Sequence, residues 1–332
     1  MASQLPRVVG NLACLGLLLT APAIARDFDV AVTDALKLPF AVGGQAGGLV
    51  QGRVVSVGGT SWSGTPVKKN WHVECRVLTD QGWEPGPALP TSRADLAYAS
   101  CPRGLFVAGG SNQEGESDEV LALTDVKPDS SWNRLASLPH SIQGASAAID
   151  NETLFVAGGT HQGTARSQLW SLDLKATNAA WKICQPLPAP GRSHCGLVIT
   201  GGKLFLLGGF DIVRDKGLII FDDAWRYDPS RDHWEQLADY RIPGYAWSLL
   251  AIDEQRVLSV GRVRAQGDLR GDVELLDLRQ GTIRKVAELT GPTCCAPLIR
   301  TSPQSALVLG GEPNALRTRT DRVNRLTWKT PD

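Results

Sequence analysis

Apolar residues in this chain come in short runs of four or five, broken by Gly, Pro, Asp and Asn, and no stretch sustains a 3.6-residue period. That pattern predicts strands and turns rather than helices. One run recurs and ends each time in a glycine doublet: RVVSVGG at Gly59, GLFVAGG at Gly110, TLFVAGG at Gly159, KLFLLGG at Gly209 and SALVLGG at Gly311. RVLSVGR, ending at Arg262, is a degenerate copy, and the six ends are spaced by 51, 49, 50, 53 and 49 residues. A second marker runs in phase, a Trp followed by Leu-Pro or Pro: Trp83 to Pro90, Trp132 to Pro139, Trp181 to Pro188 and, with a longer turn, Trp234 to Pro243. Ile283 holds the Trp slot of the fifth unit. A third run lies between doublet and Trp: ECRVLTD, EVLALTD, QLWSLDL, DAWRYDP and VELLDLR.

Each unit therefore reads as four short strands, and roughly 50 residues with four strands per unit is the period of a β-propeller blade. The fold class is all-β, a six-bladed propeller with blades at about 38–83, 89–132, 138–181, 187–234, 241–283 and 289–328. The sixth unit stops after its third strand, RVNRLTW. The missing strand is at the other end of the chain: DVAVTD at 29–34 places Val32 seven residues before Pro39, the Trp-to-Pro offset of three other units. The N-terminal strand is expected to complete the last blade and close the ring, leaving no open edge. The expected blade-core tryptophans are 83, 132, 181 and 234, large enough to fill the wedge between blades.

Residues 1–25 read differently. Arg7, an apolar run from Val8 to Leu19 and Ala23-Ile24-Ala25 form a secretory signal peptide cut before Arg26. The run is too short for a membrane span, which needs about 20 residues, and no later segment qualifies. The expectation is an exported protein, periplasmic or secreted, with 26–332 as one domain. Lys plus Arg and Asp plus Glu both number 34, so net charge offers no reason to expect nucleic acid or anionic membrane as partner. Six cysteines follow the leader: Cys75, Cys101, Cys184, Cys195, Cys294 and Cys295. They show no CxxC zinc spacing, and the adjacent pair should point to opposite faces if it lies on a strand. No metal and no cofactor is expected, and there is no GxGxxG, P-loop or Gly-x-Ser-x-Gly element.

The glycine-doublet repeat, over residues 29–329, resembles the kelch family. A narrower resemblance lies in Gly310-Gly311-Glu312-Pro313-Asn314-Ala315-Leu316-Arg317-Thr318, which is similar to the Gly-Glu…Pro-Gly-x-Arg-Thr segment of N-acetylneuraminate epimerases, exported kelch sialic acid mutarotases. GGQAGGLVQGRVVSVGG at 43–59 resembles the blade that follows that segment in the family. Here the Glu blade is last and the GGQAGG blade first, so a closed ring makes them neighbours, as in a circularly permuted branch of the family. This chain has one residue fewer between Glu312 and Arg317, and Gln45 stands where the family has Phe.

The resemblance implies anomer interconversion of N-acetylneuraminate or a similar acidic sugar, with Glu312 and Arg317 as the catalytic pair. The chemistry asks for one group to take the anomeric hydroxyl proton and another to protonate the ring oxygen. Loops on one face of a propeller surround its channel, and they offer Arg93, Arg192, Trp62, His161 and Tyr245 as substrate-binding candidates. Arginine suits a sugar carboxylate through paired hydrogen bonds, and Trp suits a sugar face. Each has a structural counter-reading. Arg93 and Arg192 could bond backbone carbonyls, Trp62 could cover its own loop, His161 could be an ordinary polar residue, and Glu312–Arg317 could be a surface ion pair worth about 0–1 kcal/mol. A copper-radical oxidase would need a Tyr–Cys cross-link with Tyr and His ligands, a set that Tyr98, Tyr227, Tyr240, Tyr245 and the five histidines do not offer. The alternative to an enzyme is a non-catalytic kelch propeller that binds glycan or protein through its loop face.

Overall fold

A computed structural model describes residues 28–127, 129–150 and 152–329. The leader expected at 1–25 lies outside the described residues. Six four-stranded antiparallel sheets surround a central channel. Their innermost strands are Ala46–Val50, Ala97–Cys101, Ser146–Asp150, Gly196–Thr200, Ser248–Ala251 and Leu298–Ser302. Each borders the next in cyclic order. The last blade takes its outermost strand from the N-terminal side: Val30–Asp34 pairs with Val323–Trp328, with Val32 opposite Leu326. The ring is closed as its sequence repeat predicts. Short two-stranded hairpins extend the loop after the second strand in the first four blades, as in Thr60–Ser63 with Lys68–Trp71.

The glycine doublets stitch the blades together. The first glycine's N–H donates within its own blade, as Gly58 to the Glu74 carbonyl at 3.1 Å. The second donates to a carbonyl of the next blade: Gly59 to Arg93, Gly110 to Ile142, Gly159 to Arg192, Gly209 to Gly244 and Gly311 to Val42, at 2.7–2.8 Å. The doublet glycines have φ between +56° and +102°, the left-handed region that L side chains avoid. A Cβ on Gly158 would stand 2.6 Å from the Arg192 carbonyl oxygen. In the fifth blade Arg262 occupies the second position, and its guanidinium binds Glu274 at 2.5 and 2.8 Å and the Pro243 carbonyl at 2.9 Å.

The hydrophobic core is distributed between blades. Val55, Val77, Leu105, Val107, Leu121 and Trp132 form one cluster that spans the first and second sheets. Burial of each such side chain contributes about 1.5–3 kcal/mol. The four outer-strand tryptophans lock onto the segment arriving from the preceding blade: indole N–H groups of Trp83, Trp132, Trp181 and Trp234 donate to the carbonyls of Leu36, Pro87, Ala136 and Gln185. Trp132 and Trp234 are buried, whereas Trp83 and Trp181 are only half-buried. Expecting all four in the core overstates their burial, because the outer strands lie at the rim.

Candidate functional site

Six residues, one per blade, define the narrow end of the channel: Gly44, Asp95, Gly144, His194, Ala246 and Cys295. Each lies just ahead of an innermost strand, and each has φ between +48° and +66°. Their backbones form a closed circle. Each N–H donates to the carbonyl of its counterpart in the preceding blade, with the Gly44 N–H completing the circle at Cys295, and all six bonds measure 2.8–3.1 Å. Holding a non-glycine residue in this conformation costs roughly 1–2 kcal/mol, and four of the six are not glycine.

Large and small residues alternate around the circle for a steric reason. A Cβ on Gly44 would lie 2.8 Å from an Asp95 carboxylate oxygen, and one on Gly144 would lie 2.5 Å from the His194 ring. Small residues on alternate blades make room for Asp95 and His194. His194 Nε2 and Asp95 Oδ1 stand 3.9 Å apart, an ion-pair distance when the imidazole is protonated. His194 Nδ1 shares a 2.8 Å hydrogen bond with the Ser193 hydroxyl. The imidazole stacks on Phe210 at 5.3 Å, and Phe210 meets Tyr245 edge-on at 4.9 Å. One wall of the mouth is thus aromatic.

Glu312 joins the same mouth from the last blade. It directly follows the last doublet and exchanges two backbone hydrogen bonds with Cys294, at 3.0 and 2.9 Å. Its carboxylate meets Arg319 at 2.9 Å, and Arg319 also donates to the Thr60 hydroxyl at 3.1 Å. The Arg319 side chain is 7% exposed and that of Glu312 28%. Gly43 leaves the space they occupy, since a Cβ there would lie 2.6 Å from the Arg319 chain. Burial raises the Glu312 carboxyl above the ordinary range, aided by the Asp95 charge and opposed by Arg319, His194 and Lys69. Burial also pushes Asp95 up, but His194, Lys69 and Arg319 outweigh it and hold Asp95 below its ordinary value. Two carboxyls in one pocket are driven apart, one toward the neutral acid and one toward the anion, an arrangement suited to acid–base work. Burial raises the Tyr245 phenol as well, with smaller contributions from Cys294, Cys295 and Glu312.

Of the residues singled out in the sequence, the fold brings Glu312 and Tyr245 to this mouth. Arg317 is not the partner of Glu312. It is exposed, with its guanidinium over the Trp62 ring at 5.1 Å on the adjoining rim. The chain carries two consecutive Arg-Thr pairs, Arg317-Thr318 and Arg319-Thr320, and the second reaches the carboxylate. Arg93 and Arg192 lie inside the sheets. Arg93, 3% exposed, pairs with Glu119 and donates to the Gly109 carbonyl. Arg192, fully buried, binds both Asp223 oxygens, at 2.5 and 3.2 Å, and the Gly208 carbonyl at 3.1 Å. These contacts follow the structural reading of both arginines. His161 sits on the third blade's hairpin, bonded to Ser141, 3.5 Å from Glu116 and in tilted ring contact with His140 at 4.4 Å. Asp95, His194, Arg319 and Lys69 complete the mouth. The first two belong to the positions ahead of the innermost strands that the sequence places on the loop face, 15 residues before the second doublet glycine, the column that also holds Gly44 and Gly144.

The circle itself encloses a cavity of about 90 Å³, whose lining continues through Tyr98, Ser146, Trp247 and Ser248. It gives onto a channel of about 720 Å³. The larger space is walled mainly by Gly, Ala, Ser, Leu and Ile residues and carries few ionisable groups, in contrast to the mouth.

Comparison with known proteins agrees with the architecture. Residues 44–261 match the KLHDC2/KLHL20/DRC7 Kelch-repeats domain. The chain is 35% identical over 69 residues to the N-acetylneuraminate epimerase of Yersinia pestis (strain Pestoides F), 20% of this chain and 18% of that protein. It is 31% identical over 94 residues to the N-acetylneuraminate epimerase of Haemophilus influenzae (strain PittEE), 28% of this chain and 25% of that protein. Human Kelch-like protein 33 is 30% identical over 96 residues, 29% of this chain and 16% of that protein. The aligned stretches thus span a quarter or less of these relatives.

Proposed function

The chain belongs to the kelch-repeat family, and from that premise we propose that it is an exported sugar mutarotase that interconverts the anomers of N-acetylneuraminate or a similar acidic sugar. The observation that carries the reading is the pairing of Glu312 with Arg319 in a mouth that also holds Asp95 and His194. Glu312, biased toward its neutral form, is the acid that protonates the ring oxygen. His194, oriented by Ser193 and facing Asp95, takes the anomeric hydroxyl proton. The C–O ring bond opens to the keto form, rotation exposes the other carbonyl face, and the reverse proton transfers close the ring. Arg319 and Lys69 supply positive charge for the sugar carboxylate, and Phe210 with Tyr245 offers an apolar wall for the pyranose. Two buried donors that lack a partner among the described residues, Arg319 Nε and Trp62 Nε1, are available to a polyhydroxylated ligand. Partial identity to two N-acetylneuraminate epimerases supports the same reaction class.

The test is NMR of freshly dissolved sialic acid. Re-equilibration of the anomers should accelerate with mature protein, and unchanged kinetics at every pH tested would reject the enzyme. A second reading, a glycan- or protein-binding propeller, draws on three exposed apolar loop residues, Val67, Ile212 and Leu316. It predicts saturable binding with no change in anomer kinetics.

A further inference from the structure

We propose that Cys294, Cys295 and Glu312 form a binding site for a soft or borderline divalent metal ion, of the Zn2+ class, at the channel mouth. Adjacent residues on an extended strand point to opposite faces. Cys295 departs from that rule because its φ is +48°. The turn swings its sulfur toward that of Cys294, and the two Sγ atoms and a Glu312 carboxylate oxygen all lie within 4.8 Å of one another. Among the described residues this is the one place where three such donors converge. The other cysteines among the described residues, at 75, 101, 184 and 195, belong to no such group.

The spacing is that of a metal site before its ion arrives. Tetrahedral zinc with bonds of about 2.3 Å to sulfur and about 2.0 Å to oxygen holds two thiolates roughly 3.8 Å apart and a thiolate and a carboxylate oxygen roughly 3.5 Å apart, so a contraction of at most about 1.3 Å from the observed 4.8 Å limit completes the set. The frame is rigid where it matters. Cys294 and Glu312 are tied by two backbone hydrogen bonds, and Cys295 is held on both sides by the closed backbone circle. Thr293 anchors the preceding residue through its hydroxyl to the Gly310 carbonyl at 2.7 Å. A strained backbone at a non-glycine position is the kind of feature found where a side chain must be aimed.

The charges balance. Metal binding releases to solvent one proton from each thiol and the proton that Glu312 holds as a neutral acid, leaving two thiolates and a carboxylate around a divalent ion. The excess negative charge is met by Arg319, which already contacts Glu312. The remaining charged and titratable groups of the mouth are Asp95, His194, Lys69 and Tyr245. Two sulfurs and one oxygen favour Zn2+ or Cd2+ over Mg2+ or Ca2+, which demand oxygen ligands. The site stands apart from the sugar reaction in its evidence but shares Glu312 with it, so metal occupancy and acid catalysis by Glu312 exclude each other.

The experiment uses mature protein reduced with a phosphine and titrated with Cd2+ alone, reading thiolate-to-cadmium charge-transfer absorbance, with no sugar present. One equivalent should bind and be displaced by Zn2+ but not by Mg2+. Cys294→Ser and Cys295→Ser should each weaken binding at least 100-fold, and Glu312→Gln about 10-fold with the thiolate band retained. Cadmium-113 NMR of the unmutated protein should report two sulfur ligands, which covers the case of a variant that fails to fold. No band, a band unchanged in both serine variants, or a shift for one sulfur would overturn the assignment. Because the readout needs no turnover, absence of mutarotation would leave this site standing, and mutarotation without cadmium binding would remove only this site.

Discussion

Replacement of Arg192 by Met separates a strut from a substrate ligand. The Arg192 guanidinium is fully buried, and it donates to Asp223, to the Gly208 carbonyl and to the Pro190 carbonyl at 3.2 Å. It also lies 4.2 Å over the Phe221 ring. Met fills much of the volume but leaves the Asp223 carboxylate with the Trp225 indole N–H, at 2.7 Å, as its remaining side-chain donor. Loss of one partner of a buried ion pair costs about 3–5 kcal/mol. The surviving Trp225 bond sets the expectation at the lower end, about 3 kcal/mol. Urea unfolding at neutral pH should show that loss, and Arg192→Met with Asp223→Asn should recover about half of it, because no buried charge then lacks a partner. The pH dependence has a definite sign. Burial would raise Asp223, but Arg192 and Trp225 outweigh it and hold the carboxyl below its ordinary value. The stabilisation is therefore complete above the unfolded pKa of about 3.9 and fades as pH falls through the lower folded value. The gap between native and variant stability should narrow in acid. A loss under 1 kcal/mol, together with abolished sugar binding, would refute the argument and return Arg192 to the ligand.

Three further outcomes follow from the same geometry. Arg319→Ala should slow anomer exchange about 100-fold, whereas Arg317→Ala should keep it within about threefold; the reverse order, in the NMR rate assay, would restore the Glu312–Arg317 pairing. Gly43→Ala should cut activity at least tenfold with little change in melting temperature, because the added methyl meets the movable Arg319 chain rather than backbone; unaltered kinetics would show that the mouth does not need that spacing. Thr33→Pro, in the strand that closes the ring and opposite Arg325, should cost on the order of 2 kcal/mol in urea unfolding by removing a ladder donor, and no loss would mean that the closing strand contributes little.

The fold was legible because a propeller writes its period into the chain. The Gly doublets and the Trp slots each answer one local demand, a left-handed turn against a neighbouring carbonyl and a rim indole bonded across the wedge, and both demands recur with every blade. The site was only half legible. Glu312 and Tyr245 stand where a loop-based reading places them, but arginines look alike in sequence whether they face a ligand or an internal carboxylate. Asp223 and Glu119, which decide the matter for Arg192 and Arg93, lie 31 and 26 residues further on. The partner of Glu312 was hidden by a tandem Arg-Thr, where pairing depends on how the loop closes rather than on residue count. The opposite faces expected of Cys294 and Cys295 held only for a pair on a strand, and the pair lies ahead of the strand Leu298–Ser302 with Cys295 turned left-handed. The circle of six backbone bonds has no composition signature at all; it becomes visible only when the columns of the repeat are compared.

The central claim rests on Glu312, and substitution by Gln tests it most directly. Gln keeps the volume and accepts a hydrogen bond from Arg319, but it cannot donate a proton to a ring oxygen. By NMR of sialic acid anomers, the native protein should accelerate exchange, with the rate falling as pH rises through a Glu312 pKa above the ordinary carboxyl range. Glu312→Gln should lose about 10²–10⁴-fold of that acceleration and its pH dependence while still binding the sugar. Equal rates in the native and Gln proteins would contradict the account.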